Sequence, residues 1–178
     1  MNRPLLLIDI DGVISLFGFE LGDPPDGSFV NVDGITHFLS ATAGEQLLAL
    51  AADFELAWCS GWEEKADEYL PLALGLPAGL AHVQLERAGN DDGRHWKLAA
   101  IDRFAGHRAL AWIDDGHDPS CDAWATTRDA PTLLVRTDPA IGLTRAHTAT
   151  LTAWARAVSG ERQSNRARRP RPDSRQSQ

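Results

Sequence analysis

Four groups of polar residues in this sequence follow or neighbour apolar runs, and together they could do chemistry. They are Asp9 with Asp11, Ser60, Lys97, and the pair Asp114–Asp115. Carboxylates crowded in one pocket repel each other unless a cation lies among them. A hard divalent ion with oxygen ligands and open positions for a phosphate is typically Mg²⁺. A lysine beside that ion suits a phosphate oxygen or a carboxylate. The set therefore contains what phosphoryl transfer needs: a nucleophile, a metal site, a proton donor and a positive charge.

The elements that must bring these groups together alternate between strand and helix. Leu5–Ile10 is apolar except for Asp9, which is typical of a buried parallel strand that ends in a polar residue. Further strands are predicted at 54–58, 82–85, 109–113 and 132–135, with helices between them. This pattern predicts an α/β fold whose five-stranded, mainly parallel sheet carries helices on both faces. Ligands of such sheets bind at the carboxyl ends of the strands, and residues i and i+2 of a strand point the same way, which predicts Asp9 and Asp11 side by side.

Local signals predict several boundaries. The segments 17–20 and 28–32 flank the loop Gly22–Gly27, which predicts a β-hairpin, and 35–39 is a further short strand. Thr42 with Glu45 predicts a capping box at the start of one helix. Asp118 followed by Pro119 predicts the start of another. The closing helix is predicted over 144–158.

Composition suits one globular domain, because the chain has 178 residues and 43% of them are hydrophobic. No apolar run approaches the roughly 20 residues that cross a bilayer, and the apolar start is too short for a signal peptide. These features predict a soluble, cytoplasmic protein with reduced Cys59 and Cys121. The net charge is −8, yet residues 160–178 hold six arginines. We therefore predict a domain at 1–159 and a basic, disordered tail at 160–178, with a domain too acidic to offer a broad nucleic-acid surface.

In this order, Asp9-Ile-Asp-Gly-Val13, Ser60, Lys97 and Asp114–Asp115 resemble the four motifs of the haloacid dehalogenase (HAD) superfamily. The resemblance covers about residues 4–158. Trp58–Glu63 and Asp138–Thr144 look more narrowly like a small uncapped HAD group, related to the HAD domain of "Swiss Army Knife" RNA-repair proteins. The resemblance implies a Rossmann-like HAD core with a β-hairpin flap after the first strand. The stretch between Gly12 and Ile35 is long enough for a flap but too short for a separate cap domain.

The resemblance also implies a role for each site residue. Asp9 would attack phosphorus and form an aspartyl-phosphate, while Asp11 would protonate the leaving oxygen and then activate water. Asp9, Asp114, the backbone carbonyl of Asp11 and, through water, Asp115 would hold Mg²⁺. Ser60 and Lys97 would also be catalytic, because Ser60 would hydrogen-bond a transferring phosphoryl oxygen and Lys97 would offset the charge on the nucleophile and the phosphate. Substrate would be bound by Ser60, Gly61, Trp62 and Lys97.

Three functions stay open at this point. The first is a Mg²⁺-dependent phosphatase acting on a phosphomonoester such as a nucleic-acid end or a nucleotide. The second is a small-metabolite phosphatase whose site a second copy completes, which predicts an exposed apolar patch near the flap. The third is a HAD-fold binding module, which predicts no turnover even with metal. Cysteine-based phosphatase chemistry is disfavoured, because Lys65 stands where that mechanism needs an arginine after Cys59. Trp62 could stack on a base or simply pack.

Overall fold

The computed structural model describes residues 3–85 and 93–167. Alternating strands and helices follow one another along the chain, after an initial group of four strands. In chain order the elements are β1 (Leu5–Ile8), β2 (Ser15–Leu16), β3 (Gly27–Val32), β4 (Ile35–Ser40), α1 (Ala43–Leu50), β5 (Glu55–Trp58), α2 (Lys65–Leu74), β6 (Ala81–His82), α3 (Leu98–Ala105), β7 (Leu110–Asp114), α4 (Pro119–Thr127), β8 (Thr132–Arg136) and α5 (Arg145–Ala167).

Five strands form one parallel sheet in the order β6-β5-β1-β7-β8. This confirms the predicted α/β fold with a parallel sheet. From β1 the chain first builds outward through β5 and β6, and then crosses to the other side of β1 with β7 and β8. Such a reversal opens a crevice at the carboxyl ends of the two strands on either side of it, here the central strand β1 and its neighbour β7.

Helices cover both faces of this sheet. Side chains alternate along each strand, so apolar residues of one strand pack against helices on both faces. On β1, Leu6 and Ile8 join the apolar cluster that contains residues of α1, α2 and α5. Leu5 and Leu7 join the opposite cluster, which contains residues of α3 and α4. All four β1 side chains are fully buried, and each such burial stabilises the fold by about 1.5–3 kcal/mol. The continuous apolar run thus follows from a strand buried on both faces.

A second, antiparallel sheet has the order β2-β4-β3 and forms a flap after β1. Its hairpin joins β3 to β4 through Asp33 and Gly34, whose φ angles are 52° and 85°. The predicted pairing of 17–20 with 28–32 is therefore wrong. An Asp-Gly pair between two strands favours a two-residue type I′ turn, and that signal outweighs the longer Pro-rich loop 22–27.

Two predicted helix starts have different outcomes. The Asp118 carboxylate accepts hydrogen bonds from the N–H groups of Ser120 and Cys121, which confirms it as the N-cap of α4. The Thr42 side chain makes no capping hydrogen bond at α1, so the capping-box prediction is wrong. Its backbone is helical, with φ −98° and ψ −13°, whereas a capping residue needs an extended backbone to turn its oxygen toward the first N–H groups.

Helix α5 continues to Ala167, past the predicted end at 158. Residues 160–167, which were predicted to belong to a disordered tail, are therefore helical. Residues 161–167 include Glu, Gln, Ala and two Arg, all good helix formers, and Pro170 is the first residue that would break the helix. Residues 168–178 lie outside the described residues. Within 3–85 and 93–167, no helix combines the length and apolarity that a bilayer span requires.

Candidate active site

Sheet register brings Asp9 and Asp114 together at the crevice. Ile8 pairs with Ile113, and the N–H of Asp9 donates to the Ile113 carbonyl at 3.0 Å. Asp9 and Asp114 therefore lie on neighbouring strands at the same level. By alternation both side chains continue the sheet face that carries α3 and α4. The predicted proximity of the Asp9 and Asp114 groups is confirmed.

Lys97 bridges these two carboxylates. It occupies the N-cap position of α3, and its Nζ lies 2.8 Å from Oδ2 of Asp9 and 2.7 Å from Oδ2 of Asp114. The exposed fractions of Asp9, Lys97 and Asp114 are 7%, 3% and 2%. Charges at this depth interact strongly because little water screens them. The three side chains therefore form one buried electrostatic unit, which contains more carboxylate than ammonium.

The pKa values of this unit reflect the missing positive charge. Burial raises the pKa of Asp9 to about 7, helped by the charge of Asp114 and only partly opposed by Lys97. Burial also acts to raise the pKa of Asp114, but the Lys97 ammonium and the N–H of Gly116 outweigh it and lower that pKa. Burial alone would lower the pKa of Lys97, yet Asp9 and Asp114 raise it. Lys97 thus stays charged, and its single ammonium leaves the two buried carboxylates one counter-charge short.

Asp115 completes a group of carboxylates that fits a metal ion. One oxygen each from Asp9, Asp114 and Asp115 lies within 4.8 Å of the others. Burial and the neighbouring Asp114 raise the pKa of Asp115. When ionised, three carboxylates and one ammonium leave two negative charges, which one divalent cation balances. All donors are hard oxygens, which fit Mg²⁺ better than a metal that prefers nitrogen or sulfur.

Gly12 allows the loop after β1 to pass close to this cluster. Its φ is +73°, and a Cβ there would lie 2.4 Å from Cγ and Oδ2 of Asp115. Thr137, which follows β8, donates its hydroxyl to the Gly12 carbonyl at 2.8 Å and its N–H to the Asp114 carbonyl at 3.2 Å. Sequence reasoning missed Thr137. Its place directly after the fifth strand, at the same edge as the acidic residues, was the available signal.

Asp11 has surroundings different from those of Asp9. Its side chain is 51% exposed, and its Oδ2 accepts a hydrogen bond from Nε1 of Trp62 at 3.1 Å. Its Oδ1 lies 3.7 Å from Nδ1 of His37 on β4. Strand geometry ends at Ile8, after which the chain turns, so the i, i+2 rule does not describe this pair. The structure thus separates a buried carboxylate from an accessible one, and it places Trp62 against Asp11.

The remaining predicted substrate residues lie after β5, the strand beside β1. Ser60 is 2% exposed, and its carbonyl accepts the N–H of Glu63 at 3.1 Å. Gly61 is exposed. Cys59 is fully buried, and burial raises the pKa of its thiol far above the ordinary value, so its thiolate is not formed at neutral pH. Phosphate binding by Ser60 and Gly61 stays a prediction.

A buried histidine follows the acidic pair. His117 is 6% exposed, and neither ring nitrogen has a hydrogen-bond partner among the residues that the structure describes. Its ring packs edge-on against Trp112, with the centroids 4.4 Å apart. Burial lowers the pKa of His117 to about 4, so the ring is neutral at pH 7.

Comparison with known proteins gives remote similarity. No family model matches the chain, and no curated protein matches it. A candidate 3-deoxy-D-manno-octulosonate 8-phosphate phosphatase from Vibrio cholerae is 18% identical, covers 90% of this chain and 87% of its own, and has a TM-score of 0.44. A hypothetical protein from Xanthomonas campestris is 17% identical, covers 93% and 88%, and has a TM-score of 0.42. A candidate HAD-superfamily (subfamily III A) hydrolase from Legionella pneumophila is 15% identical, covers 90% and 86%, and has a TM-score of 0.44. At this level of similarity, the chemistry of the site has to follow from its own side chains.

Proposed function

We propose that this protein is a Mg²⁺-dependent phosphomonoesterase of the HAD type that acts through an aspartyl-phosphate on Asp9. The observation that carries the proposal is the Lys97 ammonium between Asp9 and Asp114, with Asp115 close by, at the crevice between the central strands. A buried cluster with an unbalanced negative charge is costly for stability alone. It suits a site that gains a cation and then receives a phosphoryl group.

Asp9 is the nucleophile in this proposal. An oxygen of its carboxylate attacks phosphorus, the bond to the leaving oxygen breaks, and a phosphoryl group is left on Asp9. Lys97 offsets the charge that Asp9 and the phosphoryl oxygens bring together. A Mg²⁺ ion held by Asp9, Asp114, the Asp11 carbonyl and, through water, Asp115 would supply further charge stabilisation and keep Asp9 ionised.

Asp11 is the proton carrier. Its half-exposed side chain can reach both a leaving group and water, in contrast to the buried Asp9. It gives its proton to the leaving oxygen in the first step. The resulting carboxylate then takes a proton from the water that cleaves the aspartyl-phosphate, which restores both acids. Ser60 and Gly61 would bind the transferring phosphoryl oxygens.

A bulky leaving group, such as a nucleic-acid end or a nucleotide, is the substrate class that we propose first. The accessible side of Asp11 supports this, because the only elements that the described residues form between Gly12 and Ile35 are two strands of the small flap, β2 and β3. Because this chain is acidic, it would bind the phosphorylated end of a nucleic-acid strand rather than a long stretch of phosphate backbone.

A second candidate is a small-metabolite phosphatase whose site a second copy completes. The favouring observation is a set of large apolar side chains exposed on and beside the flap. Their exposed fractions are 48% for Phe17, 82% for Leu21, 63% for Phe29 and 64% for Ile35. An active protein that light scattering shows to be a monomer would exclude this second candidate, because it requires a dimer or larger assembly for activity.

The proposal is tested by hydrolysis of p-nitrophenyl phosphate with and without Mg²⁺. Asp9→Asn and Asp11→Asn nearly conserve volume but remove the nucleophile and the proton carrier. Asp129→Asn is the matched control, since this exposed aspartate lies in the loop before β8, at the opposite edge of the sheet. We expect a metal-dependent kcat that the control retains and that Asp9→Asn and Asp11→Asn lower at least about hundredfold, in Asp11→Asn because breakdown of the aspartyl-phosphate needs the Asp11 carboxylate as a base.

Two results would overturn the proposal. Turnover that survives Asp9→Asn would mean that another group attacks phosphorus. No turnover by the wild type on this compound or on a panel of nucleotides and 3′- or 5′-phosphorylated oligonucleotides would favour the binding-module hypothesis. A calorimetric Mg²⁺ titration then shows whether the acidic cluster still binds a cation.

A further inference from the structure

We propose that Trp62 is a positioning residue, whose indole N–H decides which oxygen of Asp11 carries the transferable proton. This inference rests on the proposed phosphatase function and deepens it. It changes the predicted role of Trp62 from binding the substrate to orienting the proton carrier.

The contact is a hydrogen bond with only one possible direction. Nε1 of Trp62 donates to Oδ2 of Asp11 at 3.1 Å, and an indole N–H can donate but never accept. Oδ2 must therefore be the acceptor whether Asp11 is protonated or ionised. A carboxylic carbonyl oxygen accepts a hydrogen bond better than the hydroxyl oxygen does, so the proton prefers Oδ1, which lies 3.7 Å from Nδ1 of His37 and is too far for a hydrogen bond. Oδ1 is thus free to face a leaving group or water.

Trp62 is itself held by the flap. Its ring meets the ring of His37 at a centroid distance of 4.5 Å and an interplanar angle of 61°. Nδ1 of His37 lies 3.0 Å from the hydroxyl of Ser15. At the hairpin tip, Asp33 accepts a hydrogen bond from the Tyr69 hydroxyl of α2 at 2.9 Å. The flap is therefore fastened to the segment around Trp62 at two points, which limits the freedom of the indole.

The consequence depends on the leaving group. As the bond between phosphorus and the leaving oxygen breaks, the proton on Oδ1 moves to that oxygen. An alkoxide is a poor leaving group and needs this proton, whereas a nitrophenolate leaves almost without it. Misplacing the proton by even an ångström slows only the reactions that need it. Loss of the Trp62 hydrogen bond should therefore harm alkyl phosphates much more than nitrophenyl phosphate.

The test compares kcat/KM over a series of phosphomonoesters from nitrophenyl through phenyl to alkyl phosphates. This constant covers the steps up to cleavage of the bond to the leaving group, and it leaves out breakdown of the aspartyl-phosphate. Trp62→Phe removes the N–H group and keeps an aromatic ring. Trp154→Phe is the matched control, because Trp154 is also half-buried and packs on another aromatic ring, that of Phe54. Circular dichroism verifies folding, and Trp62→His, which keeps a ring N–H, replaces Trp62→Phe if that variant does not fold.

We expect Trp62→Phe to lower kcat/KM at least about tenfold for alkyl phosphates and less than about threefold for nitrophenyl phosphate. Trp154→Phe should leave the whole series unchanged. In an Asp11→Asn background, Trp62→Phe should have no further effect on the residual activity toward alkyl phosphates, because Trp62 acts through Asp11. If Trp62→His is used, it should keep more alkyl activity than Asp11→Asn.

An equal loss for all substrates, or full additivity with Asp11→Asn, would overturn the positioning role and favour substrate binding by Trp62. Equal alkyl losses in Trp62→His and Asp11→Asn would overturn it as well. Failure of the proposed function looks different, since the wild type would then hydrolyse none of the series or would keep its activity in Asp9→Asn.

Discussion

Asp9→Asn should abolish turnover and yet stabilise the cation-free protein at alkaline pH. The reason lies in the buried unit, where the single ammonium of Lys97 serves two carboxylates. Asparagine keeps the shape of the side chain and removes one negative charge. The remaining Lys97–Asp114 pair is then balanced. Asp9 would thus be needed for the reaction and would at the same time lower the stability of the cation-free protein.

The size of the effect follows from the pKa of Asp9, which burial raises from 3.8 to about 7. A carboxyl with a raised pKa binds its proton more tightly in the folded state than in the unfolded chain. Its contribution to stability is therefore complete below pH 3.8 and is lost as the pH rises toward 7. At about 1.36 kcal/mol per pKa unit, the stability lost relative to acid pH is about 2 kcal/mol at pH 5 and on the order of 4 kcal/mol at pH 8.

Urea unfolding of wild type and Asp9→Asn at both pH values, in the presence of a chelator, measures this cost. The comparison of the two proteins is needed because the titration of His117 makes stability rise with pH, whereas that of Asp9 makes it fall. The pKa of His117 is lowered from 6.5 to about 4, so its contribution to stability is complete above pH 6.5 and is lost as the pH falls toward 4. That contribution is common to both proteins and cancels in the difference. The advantage of Asp9→Asn should grow by about 2 kcal/mol from pH 5 to pH 8.

Addition of Mg²⁺ at pH 8 should raise the stability of the wild type and largely remove the advantage of Asp9→Asn, because the cation supplies the missing positive charge. A difference in unfolding free energy that does not change with pH would refute the reasoning, since Asp9 would then ionise as easily in the fold as in water. So would an Asp9→Asn variant that is less stable than the wild type at pH 8 without cation.

Three further changes test other parts of the structure. Lys97→Met leaves two buried carboxylates without a counter-charge and should cost about 3–5 kcal/mol in urea unfolding at pH 8 without cation. Gly12→Ala places a methyl group 2.4 Å from a carboxylate of the acidic cluster and should weaken Mg²⁺ binding in calorimetry. Gly18→Ala, with a φ of +80° and open space around it, should cost only about 1 kcal/mol of stability and leave Mg²⁺ binding unchanged, and an equal loss of binding would count against the close approach at Gly12. Asp118→Ala should lower the free energy of unfolding, measured by thermal denaturation, by about 1 kcal/mol because α4 loses its cap. Thr42→Ala removes no capping hydrogen bond and should have almost no effect. Equal losses in these two would show that the cap contributes nothing.

Much of the fold could be predicted because the signals were local. The buried run at Leu5–Ile8 and the N-cap at Asp118 each depend on residues close in the chain. The signal of the hairpin turn at Asp33–Gly34 is also local, but the Pro-rich loop 22–27 offers a competing turn signal, and the pairing predicted from that loop is wrong. The prediction that Thr42 caps α1 is wrong for another reason. Whether its hydroxyl can cap α1 depends on its backbone angles, which the preceding strand β4 and the packing of α1 help to set.

By itself, the sequence determined that acidic residues would follow two apolar strands and that a lysine would lie near the start of a helix. Parallel strands end at the same edge of a sheet, so the meeting of Asp9, Lys97 and Asp114 could be foreseen. Only the tertiary structure decided how the two aspartates of the first group differ. Asp9 is buried against Lys97, while Asp11 remains half-exposed against Trp62, a residue 51 positions along the chain. Burial and partner set the pKa and the role of a carboxyl group, and both arise from contacts that no spacing along the chain records.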